Sequence, residues 1–202
     1  LADDPEVLID FSLPEGTMEV IDACADKGVR MVTGTTGLTE SQRAAVADAA
    51  SRIAIVQAAN MSVGVNVLLK VVAEVTRALG ENYDIEVSET HHRFKKDAPS
   101  GTAVALAKSI CAARGVEYGE TVVLGRGGHC PRNPGEIGMH ALRVGDTVGE
   151  HSVHFGNLGE TITIAHSAHT RDTFVRGALR AAQWLAGKPA GLYDMIDVLG
   201  LR

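Results

Sequence analysis

Val29-Arg30-Met31-Val32-Thr33, closed by Gly34-Thr35-Thr36-Gly37, points most directly to a fold class. A short apolar run that ends in turn residues suits a strand buried in a parallel sheet. Upstream, Val7-Leu8-Ile9-Asp10-Phe11 has the same character. Between the two, Pro14 stands at a helix start and Gly28 closes the helix beyond Ala23-Cys24-Ala25-Asp26-Lys27. Downstream, Thr39 and Gln42 have the spacing of a capping box, which opens a helix running to Ala50, and Ile53-Ala54-Ile55-Val56 makes a third strand. Strand, helix, strand, helix, strand at this spacing predicts right-handed βαβ units and a parallel sheet, half of a Rossmann-like domain. Open α/β sheets bind ligands beyond the C-terminal ends of their strands. Gly34-Thr35-Thr36 lies at one such end and Phe11-Ser12 at another, although Gly-Thr-Thr is equally a plain turn.

Past Ser62 the pattern changes. Val65, Leu68, Leu69, Val72, Val75 and Leu79 share one helical face, and Gly80 supplies the stop. Tyr83 to Ser88 alternates as a half-buried strand, and Ala103 to Ile110 reads as helix ending near Gly115. Segments 121–124, 138–143, 148–155 and 161–166 read as strands joined by short turns containing Gly or Asp. A last helix begins at Arg171-Asp172 and ends before Gly187 and Pro189. The expected fold class is therefore α/β: a partial Rossmann-like parallel sheet, plus an α+β domain whose mixed sheet is mostly antiparallel.

Between these regions lies Glu89-Thr90-His91-His92-Arg93-Phe94-Lys95-Lys96-Asp97-Ala98-Pro99-Ser100-Gly101-Thr102, with five potential cations in front of a proline-delimited helix start. Grouped cations repel unless something anionic joins them. The N–H groups of a helix start at Ser100-Gly101-Thr102 add to the same attraction, so a small polyanion fits the site. Histidine suits proton transfer here because its ordinary pKa, near ~6.5, keeps both protonation states accessible. Arg93 and Lys96 fit a solvated face as well as a site. Asp97 could cap the helix or neutralise Lys96.

The stretch resembles the signature E-x-H-H-R-x-K-x-D-A-P-S-G-T of the 4-hydroxy-tetrahydrodipicolinate reductase (dihydrodipicolinate reductase) family. Similar wording recurs at Ile9-Asp10-Phe11, Gly34 to Gly37, Asn60 to Asn66 and Val148-Gly149-Glu150-His151. The resemblance implies NADPH- or NADH-dependent reduction of 4-hydroxy-tetrahydrodipicolinate in lysine and diaminopimelate biosynthesis. His91 is then the proton donor and Lys95 the second catalytic cation, while His92, Gly101 and Thr102 contact the substrate, a small dicarboxylate. Gly34, Thr35, Thr36 and the segment Ala58, Ala59, Asn60 and Met61 bracket the nicotinamide half of the cofactor. Arg171 matches an arginine near the family's active-site hinge. Residues 1–61, completed by 172–202, correspond to the cofactor domain, and 62–171 to the substrate-binding and tetramer-forming domain of a cytoplasmic homotetramer. Some relatives carry an arginine after Phe-[ST] that reads the cofactor phosphate; Leu13 stands here, which leaves NADPH and NADH both open. The family's opening strand and G-x-x-G-x-M-G turn, on the order of 50 to 70 residues with the next strand, have no counterpart in this sequence. A rival expectation follows: a catalytically impaired truncated form that only binds dicarboxylates and oligomerises.

Composition narrows the classes. A net charge of -6 and a pI near 5.7 argue against a general nucleic-acid surface. Three scattered cysteines, Cys24, Cys111 and Cys130, fit a reducing compartment better than a disulfide framework. No apolar run approaches the ~18 residues of a membrane span. His129-Cys130, His151 with His154, and His166 with His169 are the candidate metal pairs. On a strand, positions three apart face opposite sides, so His151 and His154 cannot easily chelate one ion; no metal is expected. There is neither a phosphate-binding G-x-x-x-x-G-K-[ST] loop nor a G-x-S-x-G elbow.

Overall fold

The computed structural model describes residues 6–202. In chain order the elements are β1 (Val7–Asp10), α1 (Pro14–Lys27), β2 (Arg30–Thr33), α2 (Glu40–Ala50), β3 (Ala54–Gln57), α3 (Val63–Leu79), β4 (Asp84–His91) and α4 (Gly101–Arg114). There follow the single turn α5 (Tyr118–Thr121), then β5 (Val122–Leu124), β6 (Ile137–Arg143), β7 (Gly149–Asn157), β8 (Glu160–Ala168), α6 (Asp172–Leu185), β9 (Gly191–Tyr193) and α7 (Met195–Leu199). The chain divides into two compact units, one of residues 1–66 with 172–202 and the other of residues 67–171.

In the first unit the sheet order is β1-β2-β3-β9, all parallel. The strands are apolar on both faces because both are covered. Met31 and Ile55 pack with Ile21, Cys24 and Val46 of α1 and α2. Val32 and Val56 pack with Ala178, Ala181 and Leu185 of α6. Local signals agree with this: α1 starts with Pro14 and ends at Gly28 in the left-handed region (φ 69°), and Thr39 and Gln42 complete the capping box of α2. The fourth strand and α7 lie beyond Pro189, past the last element the sequence pattern predicts. Leu192 of β9 pairs with Ile55, and Asp194 caps α7 through the amides of Ile196 and Asp197.

In the second unit the order is β5-β6-β4-β7-β8, with α3 and α4 on one face. Leu68, Val72, Leu106 and Ile110 meet Ile85, Val87, Ile137, Met139, Val153 and Phe155 in one core. The sheet is mixed, but two of its four pairings, β5 with β6 and β6 with β4, are parallel. The antiparallel pairings, β4 with β7 and β7 with β8, are the longer ones, so most of its paired residues are antiparallel, as expected. Residues 125–136, between β5 and β6, are a connection of about a dozen residues, the length a parallel return requires.

Candidate active site

Along β4, Ile85 and Val87 point into the core, and the next inward position holds Glu89, a carboxylate with a fully buried side chain. An unpaired charge there would be prohibitively costly, and Glu89 is paired on every side. Arg143, its neighbour at the end of β6, donates through Nη1 to Oε2 and through Nη2 to Oε1, both at 2.9 Å. The Ser100 amide donates to Oε1 at 3.0 Å, and His91 Nδ1 lies 2.5 Å from Oε2. Burial pushes the Glu89 pKa up, but hydrogen bonds from Arg143, His91 and the Ser100 amide outweigh it, so the carboxyl is held below the ordinary carboxylate value.

Ser100 connects this cluster to the helix start. Its side chain caps α4 by accepting from the Ala103 amide at 3.2 Å, and the same oxygen is 3.0 Å from Nε2 of His151. His151 is buried and meets the His91 ring edge-on, with centroids 5.2 Å apart. Burial, and secondarily the charge of His91, push the His151 pKa down to about 4, which keeps that ring neutral in neutral solution. The loop after β4 is anchored by Arg93 N to Gly145 O and by Val144 N to His91 O. Lys95 pairs with Asp97 at 2.9 Å, and the His92 ring lies 6.3 Å from that of Phe94.

His91, Ser100 and the first residues of α4, Gly101 and Thr102, are thus brought together within one unit. Asp97 is neither a helix cap nor the partner of Lys96. The cap must directly precede the first helical residue, and that position belongs to Ser100; Asp97, three residues earlier, binds Lys95 and accepts from Arg143 through its carbonyl. Glu89 with Arg143, and His151 with Ser100, were not singled out by sequence reasoning. One signal was available for Glu89: it is a carboxylate in register with Ile85 and Val87 on the inward face of β4.

In the first unit, the buried Asp10 at the end of β1 organises the candidate cofactor turns. Its Oδ2 accepts from Thr17 at 2.7 Å and lies 3.1 Å from both Thr33 and Thr35, while Oδ1 accepts from the Ser12 amide. Burial raises the Asp10 pKa, and these hydrogen bonds bring it below the usual carboxylate value. The Thr35 hydroxyl is therefore turned inward, which leaves backbone, Gly34 and the exposed Thr36 to face a ligand. The Phe11 ring lies across Gly34, so close that a Cβ there would stand 2.2 Å from it. The second segment is fixed as tightly. Ala58 N bonds to Thr33 O, Asn60 Oδ1 accepts from Ser62 N, and the Met61 carbonyl abuts Gly177 of α6, where a Cβ would be 1.7 Å away. Glycine costs about 1 kcal/mol inside a helix, and here it permits that approach.

The family description "Dihydrodipicolinate reductase, N-terminus" matches residues 1–61, and "Dihydrodipicolinate reductase, C-terminus" matches residues 64–199. The 4-hydroxy-tetrahydrodipicolinate reductase of Syntrophotalea carbinolica is 50% identical over 198 residues, 98% of this chain and 74% of that protein. That of Hahella chejuensis is 49% identical over 201 residues, 99% of this chain and 75% of that protein. Among solved structures, the dipicolinate-bound dihydrodipicolinate reductase of Paenisporosarcina sp. TG-14 has the same fold, with a TM-score of 0.77 at 24% identity, over 96% of this chain and 73% of that one. Similarity of this extent, running through the parallel sheet and the Glu89-to-Thr102 segment alike, means that the chain belongs to the dihydrodipicolinate reductase family.

Proposed function

We propose that this chain reduces 4-hydroxy-tetrahydrodipicolinate to tetrahydrodipicolinate with NADPH or NADH, in lysine and diaminopimelate biosynthesis. The observation that carries the reading is His91, held by a buried carboxylate next to the N-terminus of α4, in a chain about half identical to reductases of that name. Loss of water from the substrate gives a conjugated cyclic imine. Nicotinamide, when bound, supplies the hydride to one ring carbon; Gly34, Thr35, Thr36 and Ala58 to Met61 would hold it. His91 supplies the proton to the neighbouring carbon, so that hydride and proton together complete the reduction. His92, Gly101 and Thr102 contact the substrate, one of whose carboxylates lies at the start of α4, where helical N–H groups favour an anion. Lys95 gives up its exposed pairing with Asp97 to take the substrate's charge.

Turnover followed by loss of reduced-nicotinamide absorbance, with NADPH and with NADH, tests the activity; no turnover with either refutes it. For Lys95, the measurement is calorimetry with 2,6-pyridinedicarboxylate. One charge-assisted hydrogen bond contributes about 1.5–3 kcal/mol, so Lys95→Ala is expected to bind roughly 10- to 150-fold more weakly. Equal affinity would remove Lys95 from the site. We also propose a cytoplasmic homotetramer assembled through the second unit. The sheet face bearing Glu86, His140 and Leu142 lies opposite α3 and α4, and β8 is exposed along most of its length. Pairing with another subunit would cover both. Sedimentation velocity should show association, and a clean monomer at high concentration would overturn it.

A further inference from the structure

We propose that Glu89, clamped by Arg143, is a positioning residue that fixes His91 as the tautomer protonated on Nδ1, making Nε2 the atom through which His91 exchanges its proton. Which reaction that proton serves rests on the reductase reading above.

The hydrogen-bond inventory of the cluster leaves little freedom. Arg143 has only donors and does not lose its proton in proteins. It places one N–H on each oxygen of Glu89, and the Ser100 amide adds a third donor on Oε1. Facing an arginine that keeps its charge, with hydrogen bonds that hold its pKa below the ordinary carboxylate value, Glu89 is ionised. Glu89 is therefore acceptor-only, and the 2.5 Å contact requires His91 Nδ1 to be the donor. In the neutral ring Nε2 is then a lone pair, and in the protonated ring it is the second N–H. Gly149 of β7 lies beside Nε2: a Cβ there would stand 3.0 Å from it, so any larger residue at that position would crowd the atom.

His151 completes the arrangement. The Ser100 hydroxyl oxygen accepts from the Ala103 amide and lies 3.0 Å from His151 Nε2, so the cap of α4 and the buried ring are held together. Buried and neutral, that ring meets His91 edge-on and adds no charge of its own beside it. The arrangement is a carboxylate that orients an imidazole from behind, the same logic as the third member of a Ser-His-Asp triad.

The decisive measurement is the nitrogen NMR spectrum of histidine-labelled protein, which reports which ring nitrogen bears the proton in neutral His91. Nδ1–H is expected in the wild type; Nε2–H there would overturn the proposal without any variant. In Glu89→Gln, Arg143 still demands the amide oxygen, so the NH2 group turns to His91 and drives its proton to Nε2. We expect that tautomer change together with a kcat lowered about 10²–10⁴-fold, since the equivalent carboxylate-to-amide change in a protease triad costs about 10⁴. KM values and 2,6-pyridinedicarboxylate affinity should stay within about twofold. A lowered kcat with the tautomer unchanged, or an unchanged kcat, would make Glu89 merely structural. Should Glu89→Gln fail to fold, the wild-type tautomer decides alone. Failure of the wild type to turn over would strike at the reductase reading and not at the tautomer, so the two remain separable.

Discussion

His91→Gln lowers kcat about 10²–10⁴-fold and leaves NADPH affinity near the wild-type value, the expected result if His91 delivers the proton. Glutamine is the informative replacement because its amide can donate to Glu89 Oε2 as Nδ1–H does, so the buried carboxylate keeps its partner and the fold survives. What the variant lacks is an imidazole that can hand on a proton. An interaction made only in the transition state lowers kcat and kcat/KM together. Cofactor affinity is spared on the proposed assignment, in which Gly34 and Ala58 to Met61 hold the nicotinamide: they belong to one unit and His91 to the other. Steady-state kinetics and a fluorescence titration of NADPH supply both numbers. A variant turning over at the wild-type rate would move the proton donor elsewhere.

What the sequence disclosed was what local physics determines. Pro14, Gly28 and the Thr39-Gln42 pair act within one helical turn, and each appears in the structure where the pattern placed it. Apolar runs marked β1, β2 and β3 because burial on two faces leaves a composition that survives without context. The same logic failed for β9: Gly191-Leu192-Tyr193 is too short to show a period, and its pairing with β3 bridges more than a hundred residues. Parallel pairing of β5 with β6 was equally hidden, since composition does not tell a long return from a short turn. The site divides in the same way. His91, Lys95, Gly101 and Thr102 stand in one contiguous segment, and the Ser100 cap lies beside them. Arg143 is 54 positions from Glu89, and His151 is 51 from Ser100, so the partners that orient His91 became visible only when β4, β6 and β7 were placed side by side. Thr35 gives the reverse lesson. A threonine at a strand end invites a ligand contact, and its hydroxyl is instead drawn inward by Asp10.

Arg143→Ala should be the most destabilising single change near the site. It removes two of the four hydrogen bonds to Glu89 and leaves a carboxylate with no exposed side-chain surface facing only His91 and one amide. Breaking a buried ion pair from one side costs about 3–5 kcal/mol. The Arg143 side chain is one-fifth exposed, so water can partly replace it, and we expect a loss near the lower figure, about 3 kcal/mol. The pH dependence gives the sign. In the wild type the folded pKa of Glu89 is lowered, so its contribution is present above the unfolded carboxylate value and fades as pH falls through the folded one. Without Arg143, burial is the main influence left, and the folded pKa rises. Glu89 then destabilises the variant increasingly as pH climbs through the unfolded value. Urea unfolding of both proteins should therefore show a larger difference at about pH 8 than at about pH 5. Adding Glu89→Gln to Arg143→Ala should recover part of the loss, because no charge remains to be buried. A deficit that is the same at both pH values and is not relieved in the double variant would mean that Arg143 acts through its bonds to the Leu142 and Asp97 carbonyls rather than through Glu89.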